Sequence, residues 1–338
     1  MKAAVYYGKH KVEIAEVLVP EIGDDDVLIK VAACGVCGTD IHIFNGDGGF
    51  KKPPTGVVLG HEFAGTVEKV GKLVNGIKVG DRVCVDPNVL CGKCDGCRSG
   101  AGHFCSDIVG IGTTVNGGFA EYCAVPQSQV YKISDGTSFE KAAMSEPVAC
   151  CLHGIDMCNI KCGDTVAIIG GGMIGLIMVQ LAKLSGAAKI ALIEPVAEKR
   201  DLGKKLGADV CIDPMSQEVE SECKKLGRIA CVIECVGSIS TMQQAIRNAG
   251  YRGTVMLFGL TAPDDEMVVK PHEVFEKELK ITASFINPYT QGRAVALIDS
   301  GKIDVSSPVY KILKLNELPA LLADAQALKC GKYIIDPR

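Results

Sequence analysis

The chain has 338 residues, 47% of them hydrophobic and 22% charged. This is a globular composition, at a length that suggests about two domains. Thirty-six basic against forty acidic side chains leave a net charge of −4, which argues against nucleic acid or an anionic membrane as partner, because both need a basic face.

Seventeen cysteines, an odd number, exclude complete internal pairing. Cys123, Cys150, Cys151, Cys211, Cys231 and Cys235 lie in apolar segments and read as small buried hydrophobes. That suits a reducing cytoplasm. No apolar run reaches the roughly 18 residues that span a bilayer. The opening stretch MKAAVYYGKHKVEIAEV alternates like a strand and has no signal-peptide core. The sequence therefore predicts a soluble, cytoplasmic protein.

Up to about residue 135, short strands punctuated by Gly and Pro follow one another: KAAVYY, DVLIKVAACGV, EFAGTVEKVG, GDRVCV and GFAEYCAVP. This texture predicts an all-β module. Three segments in and just after it hold candidate metal ligands. They are ACGVCGTDIH, with Cys37, Asp40 and His42; VLGHEFAG, with His61 and Glu62; and MSEPVAC, with Glu146. Each alone is weak, since an isolated Cys or His is as readily core or surface. The loop NGDGGF (Asn45 to Phe50) suits a hydroxylated substrate, although loops commonly have that composition.

Between them stands the least accidental feature of the chain. Cys91, Cys94, Cys97 and Cys105 form C-x2-C-x2-C-x7-C. Four thiolates from one loop close a tetrahedron around zinc and leave no position for substrate. The pattern predicts a structural metal and places the chemistry elsewhere.

After about Pro147, strand-like and helix-like runs alternate. TVAIIG, AKIALIE, DVCID, IACVIECVG and GTVMLFG read as strands, and MIGLIMVQLAKLSG and VAEKRDLGKKLG as helices. Unbroken Val/Ile runs imply strands buried on both faces, hence a parallel sheet between helices. Gly170, Gly172 and Gly175 form G-x-G-x-x-G between the first strand and its helix, with Ile174 inside the turn. That context predicts a dinucleotide-binding turn, with the pyrophosphate on the helix N-terminus. Glu194 closes the second strand nineteen residues after Gly175. A carboxylate there accepts bonds from both ribose hydroxyls and repels a 2′-phosphate, which favours NAD over NADP. Lys199 and Arg200 lie near enough to accommodate a phosphate. The tail holds two helix-like stretches, QGRAVALIDSGK and LNELPALLADAQAL, and a strand, KYIID.

The motifs GVCGTDIH, GHEFAGTVEKVG, the cysteine lobe, GGFAEYCAVP, SEPVACCLHGID and GGGMIG occur in this order over essentially the whole chain. Together they resemble the zinc-dependent medium-chain alcohol dehydrogenases, and within them the polyol (sorbitol-like) branch. The resemblance implies an α/β fold: a GroES-like β-rich catalytic domain, residues 1–147 and 286–338, with an inserted Rossmann domain, residues 148–285. In the family the cleft between them holds zinc and nicotinamide.

The resemblance also implies roles. Cys37, His61 and Glu146 match catalytic zinc ligands, and Glu62 binds directly or stands behind them. Cys91, Cys94, Cys97 and Cys105 match the structural zinc site. Thr39 and His42 match the proton relay. Lys199 matches a basic residue against the adenosine ribose, and Val236, Gly237, Phe258 and Gly259 fall in segments flanking the nicotinamide. Ile43 departs from the Tyr that some sorbitol dehydrogenases carry there, which weakens sorbitol itself as substrate.

The implied cofactors are two zincs per chain and NAD. The implied reaction oxidises a secondary alcohol of a polyol or sugar alcohol, phosphorylated or not, to a ketose or ketone. L-threonine or another secondary alcohol or diol is the alternative on the same scaffold. The resemblance further implies a homodimer or homotetramer, with no nucleic acid or membrane partner. Zinc with an open position acts as a Lewis acid on the substrate hydroxyl, and a histidine with an ordinary pKa of about 6.5 suits a proton exit near neutral pH.

Overall fold

The computed structural model describes residues 1–46, 51–324, 326 and 330–338. Most of the loop NGDGGF, and part of the LNELPALLADAQAL stretch, lie outside these residues. The chain divides into two compact units: Met1–Ala149 with Pro288–Arg338, and Cys150–Asn287.

The first unit is built on antiparallel β-structure. Its main sheet runs in the order Val130–Lys132, Arg82–Val85, Glu62–Val70, Asp26–Val36, Lys332–Asp336, Val309–Lys314, with Tyr122–Pro126 pairing alongside Asp26–Val36. Branched and aromatic residues dominate these strands, and their inward faces make one core that includes Val31, Phe63, Val83, Phe119 and Ile335. Full burial of side chains this size contributes about 1.5–3 kcal/mol each. The opening stretch is a hairpin, Lys2–Gly8 with Lys11–Glu16, rather than one strand. The chain turns at His10, a residue with φ of 57°.

Two pairings matter for the site. Gly35 lies opposite Glu62 on one side and opposite Ile334 on the other. The end of the Asp26–Val36 strand, the start of the Glu62–Val70 strand and the start of the Lys332–Asp336 strand are thereby brought to one place. The helix Gly38–Asn45 follows directly from Cys37.

The second unit contains a six-stranded parallel sheet ordered Val210–Ile212, Lys189–Ile193, Thr165–Ile169, Cys231–Glu234, Thr254–Leu257, Lys280–Ala283. In chain order this is 3-2-1-4-5-6, the doubly wound arrangement whose ligands bind beyond the carboxyl ends of the strands. Val166, Ala167, Ile168 and Ile169 are all at most 2% exposed, as a strand covered on both faces requires. The sixth strand, Lys280–Ala283, was not legible in the pattern, because most of its residues are exposed at the sheet edge. Glu146 and Pro147 sit in the first turn of a helix, Ser145–Cys158, where proline needs no N–H partner. Among the described residues, no helix is long and apolar enough to cross a membrane.

Candidate functional site

In the first unit the ligand atoms of Cys37, His61 and Glu62 all lie within 4.8 Å of one another. Cys37 caps the helix Gly38–Asn45: its backbone N–H donates to Asp40 Oδ2 at 2.8 Å, and its Sγ is 3.7 Å from Thr39 Oγ1. His61 follows Gly60, whose φ of +95° suits glycine. A Cβ at Gly60 would also stand 2.8 Å from Cys34 Sγ. Glu62 begins its strand fully buried.

Two further charges complete the cluster. Asp40, wholly buried, places Oδ1 3.6 Å from His61 Nδ1, just beyond hydrogen-bond length. Burial alone would lower the His61 pKa, but the Asp40 carboxylate outweighs it and pushes the imidazole well up. Lys332 reaches in from the Lys332–Asp336 strand and pairs with Glu62 Oε2. The contact is an ion pair without hydrogen-bond alignment, since Oε2 finds no aligned donor. Burial works against the Lys332 charge, but Glu62, with Cys37 and Asp40 nearby, more than restores it, so its pKa is raised. A Cβ at position 35 would stand 2.1 Å from Glu62 Oε2 and 2.6 Å from Met144 Cε, so a side chain there would displace the ion-paired carboxylate.

This donor set fits a metal ion. Asp40 Oδ1 and His61 Nδ1 are buried facing each other and Lys332 takes up Glu62 Oε2, which leaves the Cys37 sulfur, the other His61 nitrogen and the other Glu62 oxygen as donors. Sulfur, imidazole and carboxylate are the donors zinc takes. Metal on the outer ring nitrogen of His61 would fix its Nδ1–H toward Asp40, the usual support for a metal-bound histidine. Glu146 is buried in the same unit but lies outside the trio. Thr39 and His42 are both half-buried on the Gly38–Asn45 helix.

The cysteine lobe fits a metal equally well. The Sγ atoms of Cys91, Cys94, Cys97 and Cys105 lie within 4.8 Å of one another, against about 3.8 Å between sulfurs around a tetrahedral zinc. Backbone N–H groups already point at the sulfurs, from Cys94 to Cys91 Sγ at 3.4 Å and from Cys91 to Cys105 Sγ at 3.3 Å. Such bonds from the amides of Cys97 and Ser106 lower the Cys94 thiol to about 6. Burial raises the Cys97 thiol to about 12.

In the second unit the glycine turn joins the strand Thr165–Ile169 to the helix Met173–Leu184, with Gly172 as its N-cap. Each glycine has its own reason. Gly170 has φ of +100°, and a Cβ on Gly175 would stand 1.8 Å from Gly170 O. A Cβ on Gly172 would meet nothing within 4 Å. Nothing in the protein demands glycine there, whereas a pyrophosphate approaching the helix N-terminus would. Ile174 is half-buried in the first helical turn.

Glu194 is buried beside this turn, accepting from Gly171 N at 2.6 Å and from Val196 N at 2.9 Å. Lys199 lies in the first turn of the next helix, Ala197–Leu206. Val236 stands half-exposed past the end of the Cys231–Glu234 strand. Phe258 packs its ring on the Ser145–Cys158 helix, so that a Cβ at Gly154 would stand 2.9 Å from it.

Sequence reasoning missed Lys332 and the hub at Glu234. The latter's Oε1 accepts from Val236 N, Gly237 N and Thr241 Oγ1 at 2.8, 2.9 and 2.8 Å. Neither residue belongs to a recognisable local pattern.

A doubly wound sheet with a phosphate-binding turn, in one chain with a closed four-cysteine group and a Cys/His/Glu group, defines a metal-dependent dinucleotide oxidoreductase. Comparisons with known proteins agree. Residues 23–135 match the family model for the alcohol dehydrogenase GroES-like domain, and residues 173–300 that for the zinc-binding dehydrogenase. The chain is 34% identical to D-arabinitol dehydrogenase 1 of Uromyces fabae over 99% of its own length and 97% of the relative's. It is 36% identical to the D-arabitol-phosphate dehydrogenase of Enterococcus avium over 92% and 89%. A Sinorhizobium meliloti dehydrogenase structure bound to NADP superposes with a TM-score of 0.95 at 38% identity, covering 99% of both chains. The chain belongs to the zinc-dependent medium-chain alcohol dehydrogenases, oxidoreductases that act on CH–OH groups.

Proposed function

We propose that this enzyme oxidises a secondary alcohol of a polyol or sugar alcohol, phosphorylated or not, to the ketose or ketone with NAD as acceptor. The reading rests on the Cys37, His61 and Glu62 group in a chain that matches arabinitol and arabitol-phosphate dehydrogenases over nearly its whole length. Residues 1–147 and 286–338 form the catalytic domain and residues 148–285 the nucleotide domain. The assembly is a cytoplasmic homodimer or homotetramer.

Cys37, His61 and Glu146 would hold the catalytic zinc, with Glu62 binding it directly or standing behind these ligands, and the four-cysteine lobe would hold a structural one. When bound, the catalytic zinc supplies Lewis acidity at the substrate hydroxyl and the nicotinamide accepts the hydride. The protein's part is to orient and to move a proton. Thr39, held beside Cys37, receives the hydroxyl proton. His42, one helical turn on, carries it toward solvent. Asp40 keeps the His61 ring in one orientation. Gly170, Gly172 and Gly175 admit the pyrophosphate, and Glu194 with Lys199 receives the adenosine ribose. Val236 and Phe258 border the nicotinamide.

Initial rates with NAD⁺ and NADP⁺ across pentitols, hexitols, their phosphates and L-threonine test the reading. Turnover of one polyol or its phosphate at least tenfold above L-threonine is expected. Turnover of L-threonine alone would sink the substrate assignment and leave the reaction class intact.

A further inference from the structure

At the carboxyl edge of the parallel sheet, Ile193 pairs with Ile212, so the residues that follow, Glu194 and Asp213, emerge side by side. Glu194 N donates to Ile212 O at 3.1 Å. Arg200, in the helix after Glu194, turns back into this corner. Its Nη1 donates to Glu194 O at 2.8 Å and to Pro195 O at 2.6 Å. Its Nη2 lies 3.3 Å from Asp213 Oδ2, with only 18% and 22% of the two side chains exposed. Asp213 is itself held, Oδ1 accepting from Met215 N at 2.9 Å and its N–H donating to Gln217 at 2.8 Å.

The guanidinium is therefore committed inward, to two carbonyls and a carboxylate. An arginine near the acid that closes the second strand is the group that otherwise accommodates a 2′-phosphate, by charge-assisted bonds in its fork geometry.

We propose that Asp213 is a positioning residue for cofactor discrimination: by pairing with Arg200 it withholds the guanidinium from a 2′-phosphate. A 2′-phosphate then meets the Glu194 carboxylate without the Arg200 guanidinium to offset it. The proposal rests on the dinucleotide reading of the glycine turn and extends it to a residue outside that turn.

The test measures NADH and NADPH binding by nucleotide fluorescence on the purified chain, without alcohol substrate. The variants are Asp213→Asn, Arg200→Met and the double variant. Asp213→Asn keeps an acceptor for Met215 N–H while removing the charge. A freed arginine supplies a charge-assisted bond to the phosphate, so Asp213→Asn tightens NADPH about tenfold or more while NADH moves less than about twofold. Adding Arg200→Met abolishes that gain, with circular dichroism confirming an intact fold. Unchanged NADPH affinity in Asp213→Asn, or a gain that survives Arg200→Met, would overturn the proposal. A wild-type chain that bound neither nucleotide would overturn the dinucleotide reading and the proposal with it.

Discussion

The Lys332 ammonium meets the Glu62 carboxylate inside the first unit, with 7% and 1% of their side chains exposed. Glu62 adjoins His61 in sequence and groups with it and Cys37 in space. One oxygen of Glu62 faces Lys332, so the ammonium sets which oxygen remains to approach a metal.

Removing one partner of a buried pair strands the other charge, at a cost of about 3–5 kcal/mol. Lys332→Met is expected to lower the urea midpoint accordingly, and Lys332→Met with Glu62→Gln to recover most of the loss. Unfolding titrations of both variants check this. Equal stability of Lys332→Met and wild type would show that the pair contributes nothing net.

Gly172 and Gly175 are expected to respond in opposite ways. Gly175→Ala drives a methyl to 1.8 Å from Gly170 O and should compromise folding or expression, as overpacking against backbone does. Gly172→Ala points into open space, so the thermal midpoint should hold within about 1 °C while NADH affinity falls at least tenfold, because the methyl occupies the pyrophosphate's approach. Wild-type NADH binding by Gly172→Ala would contradict the placement of the phosphates.

Metal analysis of the purified enzyme should give two zincs per chain. Brief treatment with a chelator should remove one together with activity, because the Cys/His/Glu set has fewer thiolates than the closed S4 set. Cys37→Ala and His61→Ala should each retain one zinc and the wild-type circular dichroism, with activity lost. Loss of the cysteine-bound metal first would reverse the assignment of the two sites.

Asp336, at the other end of the strand from Lys332, offers a pH test. Partial burial would raise its pKa, but the hydrogen bonds from the Arg338 side chain and backbone and from Lys314 together outweigh that. The carboxyl is held down to about 2. Folding depresses this pKa, so its stabilisation is full above the unfolded value of about 3.9 and fades as pH falls through about 2. Its partners Lys314 and Arg338 are more than half exposed, so screening keeps the effect below about 1 kcal/mol. Asp336→Asn should be less stable than wild type at pH 6, and the gap should close toward pH 2. A gap that widened on acidification would refute the pairing.

The motifs that were legible are local. Four cysteines on one loop, or three glycines between a strand and a helix, carry their geometry in their spacing. The parallel strands were equally plain, because burial on both faces writes unbroken Val and Ile runs. Lys332 was not legible, since only strand pairing through Gly35 brings it to Glu62. Arg200 read as a potential phosphate ligand, and only the pairing of Ile193 with Ile212 reveals the aspartate that holds it. Asp40 stood among the candidates, but its buried place behind His61 follows from the fold, not from spacing.

The division of the first unit into two chain segments has a bearing on synthesis. Lys332 lies beyond the whole of the Cys150–Asn287 unit, so a ribosome completes the nucleotide-binding unit before it makes the ammonium that neutralises Glu62. Until then, the Asp40 and Glu62 carboxylates stand without Lys332 to balance them. In that interval, a nascent chain would gain most from a divalent cation.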